Sequence, residues 1–390
     1  MRELNDPTLL RMTTVPMSLK HLISGQVKNA IKNGFNVYMA SSDGIERDEI
    51  ISIEGVDHTI LPLERDISLL KDIQALFATI QFIMKVKPDI VHTHTPKAGL
   101  IGMLAAFICR VPLRIHTVAG MPLESLTGIK KTIVLLTEKL TYWCATNVWP
   151  NSKSMKAYIL DNKFLHSSKV EIIGSGSSNG IDISEYNISN LDLSILEELR
   201  RKHYYREATY FLYIGRLVRQ KGIEELIDAF LMLNSSKPEE NLVLVIVGPY
   251  EDERDPISDR IRNIIKSDNN IIEVGYSDLV KYFLALSDAF IFPSHREGFP
   301  NVLLQAGAMK CPILCSRING NIDIVEDKKT GILFEVNNID SILSAMNHFL
   351  ENRLTIENYA KVLYDKIIKC YDRKMIQALI ILKYKELLNR

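Results

Sequence analysis

The stretch Tyr213-Ile214-Gly215-Arg216-Leu217-Val218-Arg219-Gln220-Lys221-Gly222 decides how this 390-residue chain is read. An apolar run ends in glycine, cations follow at 216, 219 and 221, and an amphipathic run opens at Gly222. That is a strand, a turn and a helix, the repeating unit of parallel α/β sheets. Cations at a strand end beside a helix N-terminus make an anion site, because their charge and the helix dipole act in the same direction. Arg216 and Lys221 therefore suit the two phosphates of a diphosphate; a solvated basic loop is the plainer alternative.

The same alternation runs in both directions from this point. Upstream, strands are expected at Leu9–Thr14, Phe35–Ser41, His58–Leu63, Asp89–His94, Leu113–Val118, Asn147–Pro150 and Val170–Ile173. Helices are expected at Leu19–Lys32, Ser68–Val86, Ala98–Arg110 and Lys131–Cys144. Downstream, strands fall at Tyr210–Ile214, Leu242–Val247, Ile271–Val274, Ala289–Phe292, Ile313–Ser316 and Ile332–Glu335, with helices such as Gly222–Leu233 and Val302–Met309. The break lies at Gly174-Ser-Gly-Ser-Ser-Asn-Gly-Ile-Asp182, whose small polar residues read as a flexible connection. Its glycine spacing is wrong for a dinucleotide fingerprint, and no periodic helix opens from it. Two similar α/β halves joined there imply a cleft, with ligands at the C-terminal ends of the facing strands.

Composition narrows the function. Lys+Arg and Asp+Glu both number 47, so the net charge is zero and a broad nucleic-acid surface is not expected. Divided near residue 178, the first part carries +4 and the remainder −4, which makes the first part the one to face an anionic surface. The five cysteines, 109, 144, 311, 315 and 370, are read as buried apolar residues of a reducing compartment. No stretch resembles a signal peptide, and the longest apolar run, Gly99–Cys109, is far short of the ~20 residues that span a bilayer. A soluble or peripherally bound cytoplasmic protein is expected.

A second constellation is Ser294-His295-Arg296-Glu297-Gly298-Phe299-Pro300-Asn301-Val302-Leu303-Leu304-Gln305. It follows a strand and enters a helix, so its free N–H groups can bind phosphate or sugar hydroxyls while Glu297 accepts from hydroxyls. Alternatively, Glu297 merely favours the helix N-terminus. Histidines 92, 94 and 116 end two strands, so a three-histidine zinc site is conceivable, but no supporting carboxylate is evident. His116 is read as a hydrogen-bond donor to ligand, and His92 as a core residue. P-loop, α/β-hydrolase and zincin motifs are absent from the sequence, as is any Asp-x-Asp to hold a metal on a diphosphate. Arg216 and Lys221 then have to take the metal's place.

These residues resemble the GT-B retaining glycosyltransferases of family 4, over essentially the whole chain. The likeness rests on Gly215-Arg216…Lys221-Gly222, Ser294…Glu297-Gly298-Phe299-Pro300 and Asn179-Gly180-Ile181-Asp182. His94-Thr-Pro-Lys-Ala-Gly99 and the 174–182 segment are similar to the branch that builds capsules, O-antigens and exopolysaccharides. The resemblance implies two Rossmann-like domains facing across a cleft. Residues 1–176 would bind the acceptor and 177–374 the donor, with a crossover helix, 375–390, returning to the first. It implies that Arg216 and Lys221 bind the donor diphosphate, that Glu297 lies beside the donor sugar and that His116 touches it. Gly215 and the backbone of Gly298, Phe299, Pro300 and Asn301 would hold donor phosphate and hydroxyls. Gln305 stands where the family carries a second acid, near the ribose, and the early glycine-rich loop is reduced to Gly25.

The implied reaction is metal-independent, cofactor-free transfer from a UDP-sugar to a lipid-linked, undecaprenyl-diphosphate-type glycan at the inner membrane face. The oligomeric state stays open. A nucleotide-sugar 2-epimerase and a non-catalytic sugar-nucleotide-binding subunit of an assembly complex are the competing readings. Leu126–Leu140, with Lys130, Lys131 and Lys139 among apolar residues, suits an anionic membrane surface or a core-packed helix with a basic edge.

Overall fold

The computed structural model describes residues 6–64, 68–120, 128–253 and 255–389. They divide into two compact units, Met1–Gly180 with Arg373–Arg390, and Ile181–Asp372. The first unit runs β1 (Thr8–Met12), α1 (Pro16–Ile23), α2 (Gln26–Lys32), β2 (Asn36–Ser41), α3 (Arg47–Glu54), β3 (His58–Ile60) and α4 (Leu69–Val86). It continues through β4 (Ile90–His94), α5 (Pro96–Ile108), β5 (Leu113–Val118), α6 (Gly128–Cys144), β6 (Asn147–Pro150) and α7 (Lys153–Asp161).

The second unit runs α8 (Leu193–His203), β7 (Thr209–Ile214), α9 (Ile223–Ser236), β8 (Leu242–Val247), α10 (Asp259–Ser267), β9 (Ile271–Gly275) and α11 (Val280–Leu286). It continues through β10 (Ala289–Phe292), α12 (Asn301–Ala308), β11 (Ile313–Ser316), α13 (Asn321–Ile324), β12 (Ile332–Phe334), α14 (Ile339–Glu351) and α15 (Arg353–Tyr371). The last helix, α16 (Arg373–Leu388), belongs to the first unit.

Each unit holds one six-stranded parallel sheet, in the orders β3-β2-β1-β4-β5-β6 and β12-β11-β10-β7-β8-β9. These are the same doubly wound order, with the reversal between β1 and β4 and between β7 and β10, where such sheets bind ligands at the strands' C-terminal ends. Both faces are covered. In the second sheet Tyr210 and Leu212 pack to one core, while Phe211 and Tyr213 pack to the other. Burial on both faces explains why these strands are continuously apolar and show no alternation.

Three expectations need correction. Val170–Ile173 is no strand; only Val170 makes an isolated bridge, to Val148. The helix expected over Leu19–Lys32 breaks at Ser24–Gly25, where Gly25 takes φ +80° and caps α2. Glu54, 4% exposed, stabilises that break by accepting from the backbone N–H groups of Gly25 and Lys28. Of the cysteines, 144, 311 and 315 are buried, whereas 109 and 370 are half-buried.

The 174–182 segment also differs from the flexible connection expected of it. Gln26 Nε2 donates to the Ser178 carbonyl at 2.7 Å and to Asn179 Oδ1 at 3.0 Å, and Ser177 N donates to the Asn151 carbonyl at 2.7 Å. From α16, Gln377 Nε2 bonds the Ser24 carbonyl and Asn179 Oδ1. The segment to Gly180 is therefore part of the first unit, and the division falls four residues later than expected. The returning helix is also present. Ile376, Ile380, Ile381 and Tyr384 of α16 join Leu9, Met39 and Ile115 in one core, and the Tyr384 hydroxyl meets buried Arg11 and His92.

Candidate active site

The second unit gathers most of the expected residues at the C-terminal ends of β7, β8 and β10. Backbone approach there is tight. Gly248, which follows β8, has φ +149°, and a Cβ on it would overlap the Gly215 carbonyl just beyond β7. Gly215 N donates to the Val247 carbonyl at 3.0 Å, which ties the two strand ends together. Arg219–Lys221 form one 3-10 turn, and Gly222 caps α9. Lys221 is thereby carried back over the sheet edge.

Lys221 Nζ pairs with Glu297 Oε1 and lies 5.6 Å from the Phe292 ring centroid, a cation–π distance. Ser294 Oγ donates to the same Glu297 oxygen at 2.7 Å. Both charged side chains are under one-fifth exposed, so the pair sits in a poorly hydrated corner where its charges act strongly. Gln220 joins the two loops, with its carbonyl accepting from His295 N at 3.0 Å. Burial and the Glu297 charge raise the Tyr213 pKa, and the neutral hydroxyl donates to the Arg216 carbonyl at 2.8 Å.

Arg216 is not held with Lys221. Its guanidinium pairs with Glu251 and its side chain is 54% exposed. Sequence reasoning missed Glu251, which lies 35 residues away with nothing local to mark it. Pro300 is buried and is the N-cap of α12, and Asn301 opens the helix. Phe299 is a packing residue, 9% exposed and 5.5 Å from the Tyr371 ring. Gly298 offers backbone alone, and its carbonyl abuts Gly320. Gln305, more than a turn into α12, donates through Nε2 to the Tyr186 hydroxyl at 2.6 Å. Tyr186 was also missed.

The histidines of the first unit separate. His92 uses both ring nitrogens, toward Tyr384 and toward Thr117 at 2.8 Å, as a core residue does. Burial, then the Arg11 charge, hold its pKa well below 6.5. His116 is 2% exposed, its Nδ1 shares a hydrogen with Thr93 at 2.8 Å, and its ring lies tight against Gly99 of α5. Burial pushes its pKa down to about 3, so the ring is neutral. That placement gives no support to His116 as a residue touching sugar: helix packing encloses it. Among the described residues no cluster of three or more His, Cys, Asp or Glu is arranged to hold a metal ion.

Comparison with known proteins identifies the family. Residues 196–366 match the family model "Glycosyl transferases group 1", and residues 33–176 match "Glycosyl transferase 4-like domain". CapM of Staphylococcus aureus, a capsular polysaccharide biosynthesis glycosyltransferase, is 32% identical over 346 residues, 88% of each chain. The chain belongs to the group 1 glycosyl transferases. A second relative of this glycosyltransferase is the Escherichia coli UDP-Gal:alpha-D-GlcNAc-diphosphoundecaprenol alpha-1,3-galactosyltransferase. It is 29% identical over 303 residues, 74% of this chain and 73% of the relative. Anabaena HepE, solved in complex with UDP, superimposes with a TM-score of 0.79 at 16% identity over 97% of this chain and 100% of its own. That likeness concerns the fold, which is GT-B. The enzyme is therefore a GT-B glycosyltransferase built from two similar parallel-sheet units.

Proposed function

We propose that this glycosyltransferase moves a sugar, with retention at the anomeric carbon, from a UDP-sugar to a lipid-linked diphosphate glycan in surface-polysaccharide assembly. One observation carries the reading. Lys221 is fixed by Glu297 and Phe292 at the sheet's C-terminal edge, beside the N-terminus of α12. A fixed cation and free helix N–H groups are what a departing diphosphate requires. The names of two relatives, a capsule enzyme and one that uses UDP-Gal with GlcNAc-diphosphoundecaprenol, support the donor and acceptor classes.

In the proposed reaction the bond from the anomeric carbon to the diphosphate oxygen breaks and a bond to the acceptor oxygen forms. The acceptor proton passes to the departing diphosphate. Lys221 offsets the charge that develops there, and Arg216 joins it by leaving Glu251. Glu297 holds Lys221 and accepts from donor hydroxyls, while the backbone from Gly298 to Asn301 receives phosphate or hydroxyl oxygens. Gln305, with a donor and an acceptor on one amide, bonds the ribose beside Tyr186. The transfer is read as metal-independent, the two cations serving in place of a divalent ion.

A lipid-linked acceptor brings the enzyme to the cytoplasmic membrane face, and the first unit is read as the contact. The test is a panel of nucleotide sugars with a synthetic lipid-diphosphate N-acetylglucosamine, read by mass spectrometry, with NMR of the new linkage and a parallel reaction in EDTA. An α-linked product from an α-linked UDP-sugar, formed in EDTA, is expected. Product of inverted configuration, or a strict divalent-ion requirement, overturns the corresponding part. Epimerised donor without acceptor overturns transfer itself.

A further inference from the structure

The first unit contains a cavity of about 420 Å³ that the reading above does not use. It lies where β1 and β4 run out, between α4, α5 and α6, and its size falls within the roughly 300–1,000 Å³ of small-molecule sites. One side is polar. Thr14 and Thr95 share a hydrogen between their hydroxyls at 2.7 Å, and Thr137 gives its own hydrogen to the Val134 carbonyl at 2.8 Å. Thr137 therefore keeps lone pairs for a ligand. Beside it Glu138 is 4% exposed and opens on the same cavity. The other side is apolar, formed by Leu100 and Ile133.

Two details mark this as a built site and not a packing gap. Thr95 has φ +73°, a backbone conformation that a β-branched residue rarely adopts and that accumulates at functional sites. It is held there by the Thr14 backbone N–H, which donates to Thr95 Oγ1 at 3.0 Å. The cavity's one described cation is also internally neutralised. Lys97 Nζ reaches both Asp72 oxygens, at 2.5 and 2.7 Å, with both side chains less than one-fifth exposed. No unpaired positive charge is therefore left among the described lining residues for a phosphate or a uronic acid, and Glu138 opposes either.

We propose that this cavity receives the terminal sugar of the acceptor and selects an uncharged 2-acetamido sugar. The hydroxyl and carboxyl side bonds the ring hydroxyls, and Leu100 and Ile133 take the acetamido methyl. The acceptor diphosphate lies outside the cavity. This inference rests on the transfer reading. The E. coli relative, by its name, uses an acceptor ending in an acetamido sugar.

Calorimetry with two water-soluble probes tests it without requiring turnover. They are a short-alkyl diphosphate of N-acetylglucosamine and the matching glucose compound. Wild type is expected to bind the first at least tenfold more tightly than the second. Ile133→Trp, at a position 41% exposed, should fill the cavity and weaken the first probe at least tenfold with the thermal midpoint unchanged. Thr137→Val, of nearly the same shape, should weaken it severalfold and carries the test should Ile133→Trp not fold. Equal binding of the two probes, no binding of either by wild type, or variants that bind as wild type would each overturn the assignment. UDP affinity, measured on the same samples, reports separately on the transfer reading: a protein that binds UDP and fails these tests loses only the cavity's role.

Discussion

Lys221 and Arg216 look equivalent in sequence, yet the fold treats them differently. Lys221 is enclosed by Glu297 and Phe292, whereas Arg216 points outward to Glu251. The difference separates a preset cation from one that a ligand must recruit. Lys221→Ala should lower turnover by two to four orders of magnitude, about 2.7–5.5 kcal/mol of transition-state stabilisation, and so should Arg216→Ala. Steady-state kinetics with the active donor checks this, and near-wild-type rates in both would remove the diphosphate assignment. Glu138 offers a second test at this scale. Burial raises its pKa to about 7, far above the range of a free carboxylate. A pKa raised in the folded state means stability that is complete below the unfolded value, near 4.3, and lost as pH climbs through about 7. The total is roughly 3–4 kcal/mol. The Tyr142 hydroxyl, on the same helix, offsets only part of that penalty, and Lys97, which lines the same cavity, is tied to Asp72. Glu138→Gln should therefore match wild type near pH 4, exceed it progressively up to about pH 7 and hold a constant lead above that in urea unfolding. A difference that does not vary with pH would show the carboxyl to be solvated.

At the scale of elements, the parallel strands were legible because both their faces are buried and they read as unbroken apolar runs. What escaped was set by contacts distant in sequence. The α1–α2 break depends on Glu54, which accepts from Gly25 N 29 residues away, and the order of the 174–180 segment depends on Gln26 and Gln377. Polar side chains that bond across such separations leave no periodic trace, so glycines and serines read as a loose linker. The same limit applied to the site. The strand–turn–helix pattern placed Lys221 and Glu297, but Glu251, Tyr186 and the enclosure of His116 came only with the fold. One glycine carries the geometry of the sheet edge. Gly248 combines φ +149° with the Gly215 carbonyl in the space a Cβ would take. Gly248→Ala should cost at least about 2 kcal/mol and displace the 215–222 turn, since neither backbone can yield cheaply. Denaturation together with UDP binding measures both effects. Full stability would show that the turn tolerates the shift.

For the whole molecule, the question is how a chain of zero net charge, with no described helix long and apolar enough to cross a bilayer, would meet the lipid-linked acceptor proposed for it. The first unit presents a candidate surface. Its sheet is covered on one face by α16, and α4, α5 and α6 pack together on the other. The outer side of that helical layer stays apolar. Ile129, Leu136 and Trp143 of α6 are 81%, 61% and 59% exposed, and Phe77 and Met84 of α4 are 62% and 64% exposed. Lys130, Lys131 and Lys139 are exposed on α6 as well, while Leu126 and Thr127 of the expected segment lie outside the described residues. A core-packed helix would have buried the apolar positions and left only the lysines wet. Here both kinds of side chain face outward together, the arrangement that suits insertion of apolar groups under an anionic headgroup layer. The enzyme should therefore float with vesicles containing anionic lipid and not with purely zwitterionic ones, and 0.5 M salt should release it. Each lysine at such a surface contributes about 1 kcal/mol, so reversing both charges in Lys130→Glu/Lys131→Glu should weaken binding by about 30-fold or more. Trp143→Ser should weaken it at any salt concentration, because the apolar contribution is not screened. Binding that ignores both the charge reversal and the salt would mean that this layer faces another protein, and that the acceptor's lipid reaches the enzyme by a different side.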